Sequence, residues 1–506
     1  MSDGATSLIA FRVERVINLL LACFVVAGLY FLFSQYFSDR SAWGDETMVG
    51  FNILSKSYSE LLDPLDFNQV APPLFLWVEK FFVDILGVSD LNLRILPISS
   101  SLITAYLLYL LLRILDFKLD VILIVLCFWF LSENVIYYAS EIKQYSTDAL
   151  VATSLACSAI YFSKGRLRYT PFVVLGAVSI YLSHIAIILL TSIISYSVVL
   201  LFYGSGESKL SVKKLMCLIL IWVLSFVIYY FYFIYDHPHR NYMNRFWRHF
   251  EGLPPNRLGL KNAVVWLFSA LTDYFSWSFR SYFNNLGCFI VVPLLGVSSF
   301  LALKRRHFFV LLLCIVPIFI HLCLALMRFY PFYTRLVLYA FPLLLIVIFY
   351  PINLILGRFS LRLRNIFIFF VFTPLLGLAV NNLHSKVPIS KGRLNDIKSS
   401  LTEIKKLDIE GKLNIVAHKS VLNYYVYQKH LFEMDSEIEL WELSKFEEAI
   451  EMGFYGHHSF FLPFSKRKQK ELVTKLCHKG EFQRKQSEID LYVIDFSSMQ
   501  GINSEK

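Results

Sequence analysis

Two adjacent carboxylates, Asp45 and Glu46, follow the first long apolar run of the chain, Val16 to Phe37. A charged side chain at the centre of a bilayer costs about 2.5–3.5 kcal/mol or more, so acids beside a membrane segment often have a function. One interpretation of this pair is a solvated loop that merely ends a helix. The other is a catalytic base and its neighbour at the boundary between lipid and water.

A second group of ionisable residues stands in Ser140–Asp148, before the fourth apolar run. If this segment is helical, Glu141, Tyr145 and Asp148 share one face, since residues i, i+4 and i+7 lie one above another. Acids at a helix N-terminus complement the helix dipole, which would account for Glu141 alone. It does not account for Lys143 and Asp148 in the same turns, and we therefore expect a functional site here.

Two cations are candidates for binding phosphate. Lys143 precedes the fourth apolar run and Arg335 opens the tenth. Both residue types make charge-assisted hydrogen bonds to phosphate, and Arg often binds it through two parallel bonds. Acids for proton transfer together with cations for phosphate suit the transfer of a group from a lipid-linked phosphate. The arginines between residues 240 and 257 are expected to contact anionic lipid headgroups instead.

The composition excludes most other classes of protein. The 506 residues are 56% hydrophobic, 17% aromatic and only 17% charged, with a mean hydropathy of +0.55, which is typical of a polytopic membrane protein. The net charge of +10 does not indicate nucleic-acid binding, because the Lys and Arg residues form short clusters between apolar runs. The eight Cys residues show no CxxC spacing, so neither a disulfide framework nor a thiolate metal site is expected.

About eleven transmembrane helices are predicted, because about 20 apolar residues are needed to cross the hydrocarbon. Lys and Arg cluster in alternate connections, which places the N-terminus in the cytoplasm and the C-terminus outside. The first apolar run is expected to be an uncleaved span. The predicted spans are 16–37, 94–115, 119–138, 145–163, 170–184, 186–203, 215–235, 283–303, 308–327, 336–356 and 365–382.

The first outer connection, residues 38–93, is the longest. It contains a short apolar piece, Leu74 to Phe82, which cannot span a membrane. We expect this piece to lie in the interface, with Trp77 and Phe81 at headgroup level and with Glu79 and Lys80 facing water.

Residues 1–382 are therefore expected to form a transmembrane domain and residues 383–506 a small extracytoplasmic α/β domain. The second part is rich in Lys and Glu, and its apolar runs are short. Three strands are predicted at Leu413–Ala417, Ser459–Leu462 and Leu491–Phe496. Three helices are predicted at Ser390–Leu407, Ser420–Tyr427 and Ser465–Cys477.

These motifs resemble those of the GT-C membrane glycosyltransferases, and in particular the group that includes the protein O-mannosyltransferases and the lipid A aminoarabinose transferase. The matching pieces are Trp43–Glu46, Gln69–Leu74, Glu141–Asp148, and Arg335 ahead of Leu338–Leu343. The resemblance covers residues 12–382 and implies a GT-C fold. It also implies that Asp45 acts on the acceptor.

One departure from the family concerns a metal ion. The related enzymes carry a metal-binding Glu or a His directly before the proline segment, where this chain has Gln69, Val70 and Ala71. No cofactor is therefore assigned, and a divalent metal is left open, with His184, His237 or Glu141 as remaining candidate ligands. Gln69 stays a candidate for substrate binding.

The mechanism that the resemblance implies is an inverting displacement on a polyprenyl-phosphate-linked sugar. Asp45 would act as the general base, while Lys143 and Arg335 would neutralise charge on the leaving phosphate. Glu46 and Glu141 would orient the substrate. Tyr145 and Asp148 complete the expected binding site.

The expected partners are the lipid-linked sugar, an acceptor that is a lipid, a glycan or a protein, and the bilayer of a bacterial plasma membrane. The main alternative is a transporter or flippase for a lipid-linked saccharide. That class has ionisable groups near the middle of its spans and broken helices in paired halves. The central thirds of the predicted spans are almost free of charge, which favours an enzyme.

Overall fold

The computed structural model describes residues 2–203, 210–255, 259–283 and 286–389. Beyond residue 389 it describes residues 398, 401–402, 412–417, 419–428, 437–442, 445, 448, 458–461, 481–483 and 492–495. The chain divides into two compact units. The helical unit comprises residues 1–37, 70–76 and 95–389, and the mixed unit comprises residues 38–69, 77–94 and 390–506. The predicted domain boundary at residue 382 stays a prediction.

The helices follow the apolar runs of the sequence closely. In chain order they are α1 (Ser2–Phe37), α2 (Gly44–Ser55), α3 (Pro73–Leu86), α4 (Ile95–Ile114), α5 (Leu119–Phe130), α6 (Glu133–Tyr138), α7 (Tyr145–Ser163), α8 (Tyr169–Leu182), α9 (Ala186–Tyr203), α10 (Val212–Phe233), α11 (Arg240–His249), α12 (Leu260–Ser278), α13 (Arg280–Phe283), α14 (Gly287–Arg305), α15 (Val316–Leu326), α16 (Phe341–Leu356), α17 (Leu361–Phe367), α18 (Thr373–His384) and α19 (Lys419–Tyr425). A wider π-helical turn precedes α15 and another separates α17 from α18, while a 3₁₀ turn, Thr334–Ala340, leads into α16.

The described residues form a multi-pass helical membrane protein, as predicted. Seven stretches are long and apolar enough to cross a bilayer, namely Phe11–Phe37, Asn92–Ile114, Ala186–Tyr203, Val212–Phe233, Gly287–Arg305, Thr334–Leu356 and Leu361–His384. Three shorter apolar helices are Leu119–Phe130, Tyr169–Leu182 and Val310–Leu326.

The predicted third span, 119–138, is interrupted. Helix α5 ends at Phe130 and the short helix α6 follows it. The hydroxyl of Tyr282 donates to the backbone carbonyls of Cys127 (3.2 Å) and Phe128 (2.9 Å). The Cys127 carbonyl also accepts from the backbone N–H of Leu131 (2.9 Å), so the Tyr282 hydroxyl adds a second hydrogen bond at the end of α5.

The core of the helical unit lies around α7 and α16. Helix α7 packs against α4, α8, α9 and the Thr334–Ala340 turn. In the most apolar 18 residues of the span that contains α16, 78% of the residues are buried, whereas most of the other spans keep a large exposed face. A helix that is apolar on all sides is buried within a bundle, so α16 is the central helix against which the others are arranged.

The mixed unit contains a five-stranded sheet with the order β2-β1-β3-β5-β4. Its strands are β1 (Lys412–Ala417), β2 (Glu437–Glu442), β3 (His458–Phe461), β4 (Glu481–Gln483) and β5 (Tyr492–Asp495). Strand β1 is parallel to β2 and β3, whereas β5 is antiparallel to β3 and β4.

The structure contains strands at all three predicted positions and a helix, α19, that overlaps the predicted segment Ser420–Tyr427. Strands β2 and β4 were not predicted. Of the predicted helix Ser390–Leu407, only residues 398, 401 and 402 are described, and Ser465–Cys477 lies outside the described residues.

The prediction for α3 is wrong for one residue. Trp77 and Phe81 are exposed, as expected for a helix at an interface, but Glu79 is fully buried. The buried residues Phe75, Leu76, Glu79 and Val83 recur at helical spacing and therefore share one face of α3. Glu79 lies on that face because α3 is a regular helix through its position, whatever the polarity of the side chain.

Candidate functional site

Asp45 lies in the first turn of α2, within the mixed unit, and is half-buried. The helix starts here because Trp43 has an extended backbone, and its carbonyl accepts from the amides of Glu46 (2.8 Å) and Thr47 (2.9 Å). The Glu46 carboxylate in turn accepts from the backbone N–H of Trp43 (3.2 Å). Acids at this end also complement the helix dipole.

Glu46 is held by two arginines. Its Oε2 is 2.6 Å from Nη1 of Arg40, and its Oε1 is 3.3 Å from Nη2 of Arg94. Arg94 also donates from Nη1 to the backbone carbonyl of Arg40 (2.7 Å). Both Glu46 and Arg94 are buried. A buried carboxylate bound to two cations fixes the start of α2, and with it the backbone of Asp45.

A second buried acid, Asp90, joins two segments of the mixed unit, residues 77–94 and α19. Its Oδ1 accepts from the hydroxyl of Tyr424 (2.6 Å) and from Nε2 of Gln428 (2.7 Å), and its Oδ2 is 2.9 Å from Nζ of Lys398. Burial by itself would raise the pKa of Asp90. The charges of Lys398 and Arg94 and the Tyr424 hydrogen bond outweigh burial, so the pKa lies below its ordinary value.

Helix α19 packs directly on α2. The backbone N–H of Ala42 donates to the hydroxyl of Tyr425 (2.8 Å). A Cβ atom added at Gly50 would lie 2.4 Å from the ring of Tyr424. No side chain fits at position 50, so the close approach of the two helices requires glycine there.

Gln69 lies beside α2. Its Nε2 contacts the sulfur of Met48 (3.3 Å) and donates to the backbone carbonyl of Phe67 (3.3 Å). Met48 is three residues after Asp45 and therefore lies on the same face of α2. Within the mixed unit, the structure thus brings together Asp45, Glu46 and Gln69 from the predicted site.

The other predicted site residues belong to the helical unit, where one prediction needs correction. Helix α7 begins at Tyr145, and residues 140–144 form a turn that precedes it. Glu141 is therefore outside the helix, and the expectation that it shares a helical face with Tyr145 and Asp148 is wrong. Tyr145 and Asp148 do share a face.

Side-chain hydrogen bonds explain why this segment turns. The hydroxyls of Ser140 and Ser146 donate to the backbone carbonyls of Tyr137 (3.1 Å) and Tyr138 (2.9 Å). Serine side chains that bind nearby carbonyls compete with helical hydrogen bonding. The turn leaves Glu141 and Lys143 buried next to the start of α7.

Arg335 lies at the centre of an aromatic cluster. Its guanidinium carbon is 5.8 Å from the ring centroid of Tyr145 and 5.4 Å from that of Trp247. Tyr138 packs edge-on against Tyr145 at 5.3 Å and interacts electrostatically with Glu141 and Arg335. Cation–π contacts of this kind hold a guanidinium in place. Tyr145 and Arg335 were both predicted, and the structure brings them together.

Asp148 has a partner that the sequence did not indicate. The hydroxyl of Ser183 donates to its Oδ1 (2.5 Å), at the break between α8 and α9. The next residue, His184, makes a 2.8 Å hydrogen bond through Nδ1 with the hydroxyl of Tyr229. Asp148 therefore contributes to a polar seam within the helical unit.

The aromatic partners of Arg335 were missed from the sequence. Trp247 stands in the arginine-rich connection that was assigned to lipid headgroups, and Tyr138 falls within a predicted span. The available signal was the density of aromatic residues just before Arg335, in Phe329–Tyr333.

The described residues do not fit a metal site. They contain no group of three or more His, Cys, Asp or Glu side chains that could hold an ion. Residues 69–71, directly before the proline segment, are Gln, Val and Ala, so that stretch offers neither an acid nor a His. We therefore derive no step through a metal ion.

Comparison with known proteins identifies the fold. No protein-family model and no curated protein matches the chain. Two solved structures of ArnT from Cupriavidus metallidurans are similar to it. The complex with undecaprenyl phosphate has a TM-score of 0.53 at 11% identity and covers 94% of this chain and 97% of ArnT. The apo structure has a TM-score of 0.53 at 10% identity and covers 94% and 98%. ArnT is a GT-C lipid A aminoarabinose transferase, so the GT-C fold expected from the sequence is confirmed.

Proposed function

We propose that this chain is a membrane glycosyltransferase that moves a sugar from a polyprenyl-phosphate donor to an acceptor hydroxyl. The observation that carries the proposal is its likeness, over 94% of the chain, to a protein crystallised with undecaprenyl phosphate. The positive-inside pattern supports a reaction on the extracytoplasmic face of a bacterial plasma membrane.

The reaction is a single displacement. The acceptor oxygen forms a bond to the anomeric carbon, while the bond between that carbon and the phosphate oxygen breaks. The electron pair of the broken bond leaves with polyprenyl phosphate, and the proton of the acceptor hydroxyl passes to a carboxylate. One displacement of this kind inverts the configuration at the anomeric carbon.

Asp45 is the proposed proton acceptor. It is half-buried in the first turn of α2, and its backbone is held in place by the hydrogen bonds and ion pairs of Glu46. Glu46 itself is bound to two arginines, so we assign it to positioning Asp45 and not to proton transfer. A base held in one place gains from orientation, because no entropy is lost to align it during the reaction.

Lys143 and Arg335 are the proposed partners of the donor phosphate. Arg335 is half-buried among aromatic rings, and Lys143 is buried. Charges in such surroundings interact more strongly than in bulk water. They would bind the phosphate in the ground state and stabilise it further as negative charge develops on it. Within the helical unit, Glu141, Tyr145 and Asp148 are proposed to shape the substrate site around these groups, and Gln69 is proposed to bind substrate from its place beside α2 in the mixed unit.

The test is a reconstituted transfer assay. The purified chain in lipid nanodiscs is incubated with a panel of polyprenyl-phosphate sugars and extracted envelope glycans, and released polyprenyl phosphate is measured. We expect release with at least one donor, and we expect Asp45→Asn to lower the single-turnover rate by about 10²–10⁴-fold while donor binding persists.

Asp63→Asn is the matched control, because Asp63 is an exposed acid in the same outer connection. A rate in Asp45→Asn equal to that of this control would remove the general-base role. A transporter or flippase would instead move the donor across a sealed vesicle without releasing polyprenyl phosphate.

A further inference from the structure

A cavity of about 470 Å³ lies in the helical unit, along α12. We call it the Trp277 cavity. Its lining comes from the turn after α11, from α12 and α13, and from the segment that leads into and begins the Thr334–Ala340 turn. The lining residues are Phe250, Glu251, Ala270, Asp273, Ser276, Trp277, Arg280, Phe332, Tyr333 and Thr334.

The chemistry of the lining narrows the class of ligand. Two carboxylates and one guanidinium line the cavity, so the lining carries one net negative charge and disfavours phosphate or any other anion. Three charged side chains also make the cavity unsuitable for a lipid tail. No ion pair among the described residues joins Arg280 to Glu251 or Asp273. Asp273 Oδ2 accepts from the Ser269 hydroxyl (3.4 Å), while its other oxygen and the side chains of Glu251 and Arg280 can accept from and donate to the hydroxyls of a ligand.

Aromatic residues provide the second half of a saccharide site. Phe250, Trp277, Phe332 and Tyr333 supply ring surface for the apolar C–H faces of a sugar ring. Phe332 is buried, whereas Glu251, Asp273 and Arg280 are exposed. Phe332 forms a buried apolar floor, and the exposed rim carries the three charged side chains together with Phe250. The volume of the cavity falls within the roughly 300–1,000 Å³ of small-molecule sites.

The cavity walls are held by hydrogen bonds between distant segments. The amide of Phe332 donates to the carbonyl of Gly252 (2.8 Å), and Nε1 of Trp266 donates to the carbonyl of Glu251 (2.9 Å). Nδ2 of Asn134 donates to the carbonyl of Trp277 (2.6 Å). A site formed before the ligand arrives loses less entropy on binding than one that must order itself.

The cavity shares its walls with the Arg335 cluster. Thr334 lines the cavity and directly precedes Arg335. The ring of Tyr333 is 5.5 Å from that of Trp247, which lies beneath Arg335. The ring of Trp277 is 6.0 Å from that of Tyr138, which packs on Tyr145.

From this arrangement we propose that the Trp277 cavity binds an uncharged saccharide unit next to the cationic site. The inference rests on the proposed function, because Arg335 is taken as a partner of the donor phosphate. The saccharide is either the acceptor or the sugar of the donor, and both present the same hydroxyl and ring-face chemistry.

The test measures binding without catalysis. Saturation-transfer NMR is recorded on the full chain in nanodiscs with methyl α-mannopyranoside, methyl β-glucopyranoside and methyl β-galactopyranoside. We expect transfer to the ring protons of at least one glycoside, with an affinity at least fivefold weaker in the double variant Glu251→Gln/Asp273→Asn. Asp236→Asn removes an exposed carboxylate outside the cavity and should leave binding unchanged.

Equal signals in the wild type and the double variant, including no signal in either, would overturn the proposal. Thermal unfolding of each variant shows whether the fold is retained, and the exposed positions of Glu251 and Asp273 predict that it is. This experiment needs no turnover, so it is independent of the transfer assay. If the saccharide binds but every donor fails in the transfer assay, the proposed reaction is refuted and the proposed saccharide site is retained.

A competition experiment distinguishes the two sources of saccharide. Displacement of the glycoside by the lipid-linked sugar donor, but not by undecaprenyl phosphate alone, would assign the cavity to the donor sugar. Binding that persists beside the donor would assign it to the acceptor. In the second case the double variant should raise the KM of the acceptor at least fivefold and leave that of the donor unchanged.

Discussion

Replacement of Glu46 by Gln should loosen the start of α2. Glu46, Arg40, Arg94, Asp90, Lys398 and Asp39 form a connected group of three acids and three cations. The group is neutral as built, and the substitution leaves one positive charge without its counterpart. Arg94 is 1% exposed, so solvent cannot compensate. Breaking a buried pair from one side costs about 3–5 kcal/mol.

Hydrogen exchange of α2 in the full chain measures this cost directly. At 1.36 kcal/mol per factor of ten, 3 kcal/mol corresponds to about 10²-fold faster exchange of the α2 amides. Asp63→Asn, in the same unit but exposed, should leave these amides unchanged. The variant Glu46→Gln/Arg94→Met removes one charge of each sign and should recover part of the loss, with a coupling energy above about 1 kcal/mol. Additivity of the two single changes within about 0.5 kcal/mol would refute the reasoning.

Three further outcomes are expected. Lys143→Ala and Arg335→Ala should each weaken donor binding and slow transfer, since a residue that binds the phosphate does so both in the ground state and in the transition state. Donor titration and single-turnover rates measure the two effects, and Arg362→Ala, at an exposed position, is the control. Acidification should destabilise the mixed unit, because folding lowers the pKa of Asp90. The stabilisation from Asp90 is complete above the ordinary pKa of 3.8 and is lost as the pH falls through the lower pKa of the folded state. Hydrogen exchange of the α19 amides measures this loss. Burial raises the pKa of Glu79, so this carboxyl lowers the free energy of unfolding as the pH rises above 4.5. Glu79→Gln should reduce the dependence of thermal stability on pH in this range, and an unchanged dependence would contradict the prediction.

The membrane helices could be predicted because the bilayer imposes one requirement on each of them. Any crossing needs about 20 apolar residues in succession, so segments such as Val212–Phe233 are visible in the sequence without knowledge of their neighbours. Strand β1 could be predicted for a similar local reason. Strand β2, in contrast, has Glu, a residue depleted in strands, at three of its six positions, and its place beside β1 depends on pairing across the sheet.

The candidate site could be predicted by residue type but not by arrangement. Asp45 and Arg335 were found because a charge beside an apolar run is conspicuous. The attachment of Glu46 to Arg94, 48 residues away, depends on a fold that no local pattern specifies. The prediction that Glu141 lies in a helix was wrong because the hydroxyls of Ser140 and Ser146 bind nearby backbone carbonyls, and the segment forms a turn before α7.

The contact between Tyr424 and Asp90 spans 334 residues of sequence. At about 5–20 residues per second, the ribosome needs roughly 17–67 s to synthesise that interval. During this time the helix that carries Asp45 is already made, but the aromatic pair of α19 that packs on it is not. The packing of α19 on the helix that carries the proposed base can therefore form only after residue 425 has been synthesised, so this part of the mixed unit assembles after translation of the intervening helical segments.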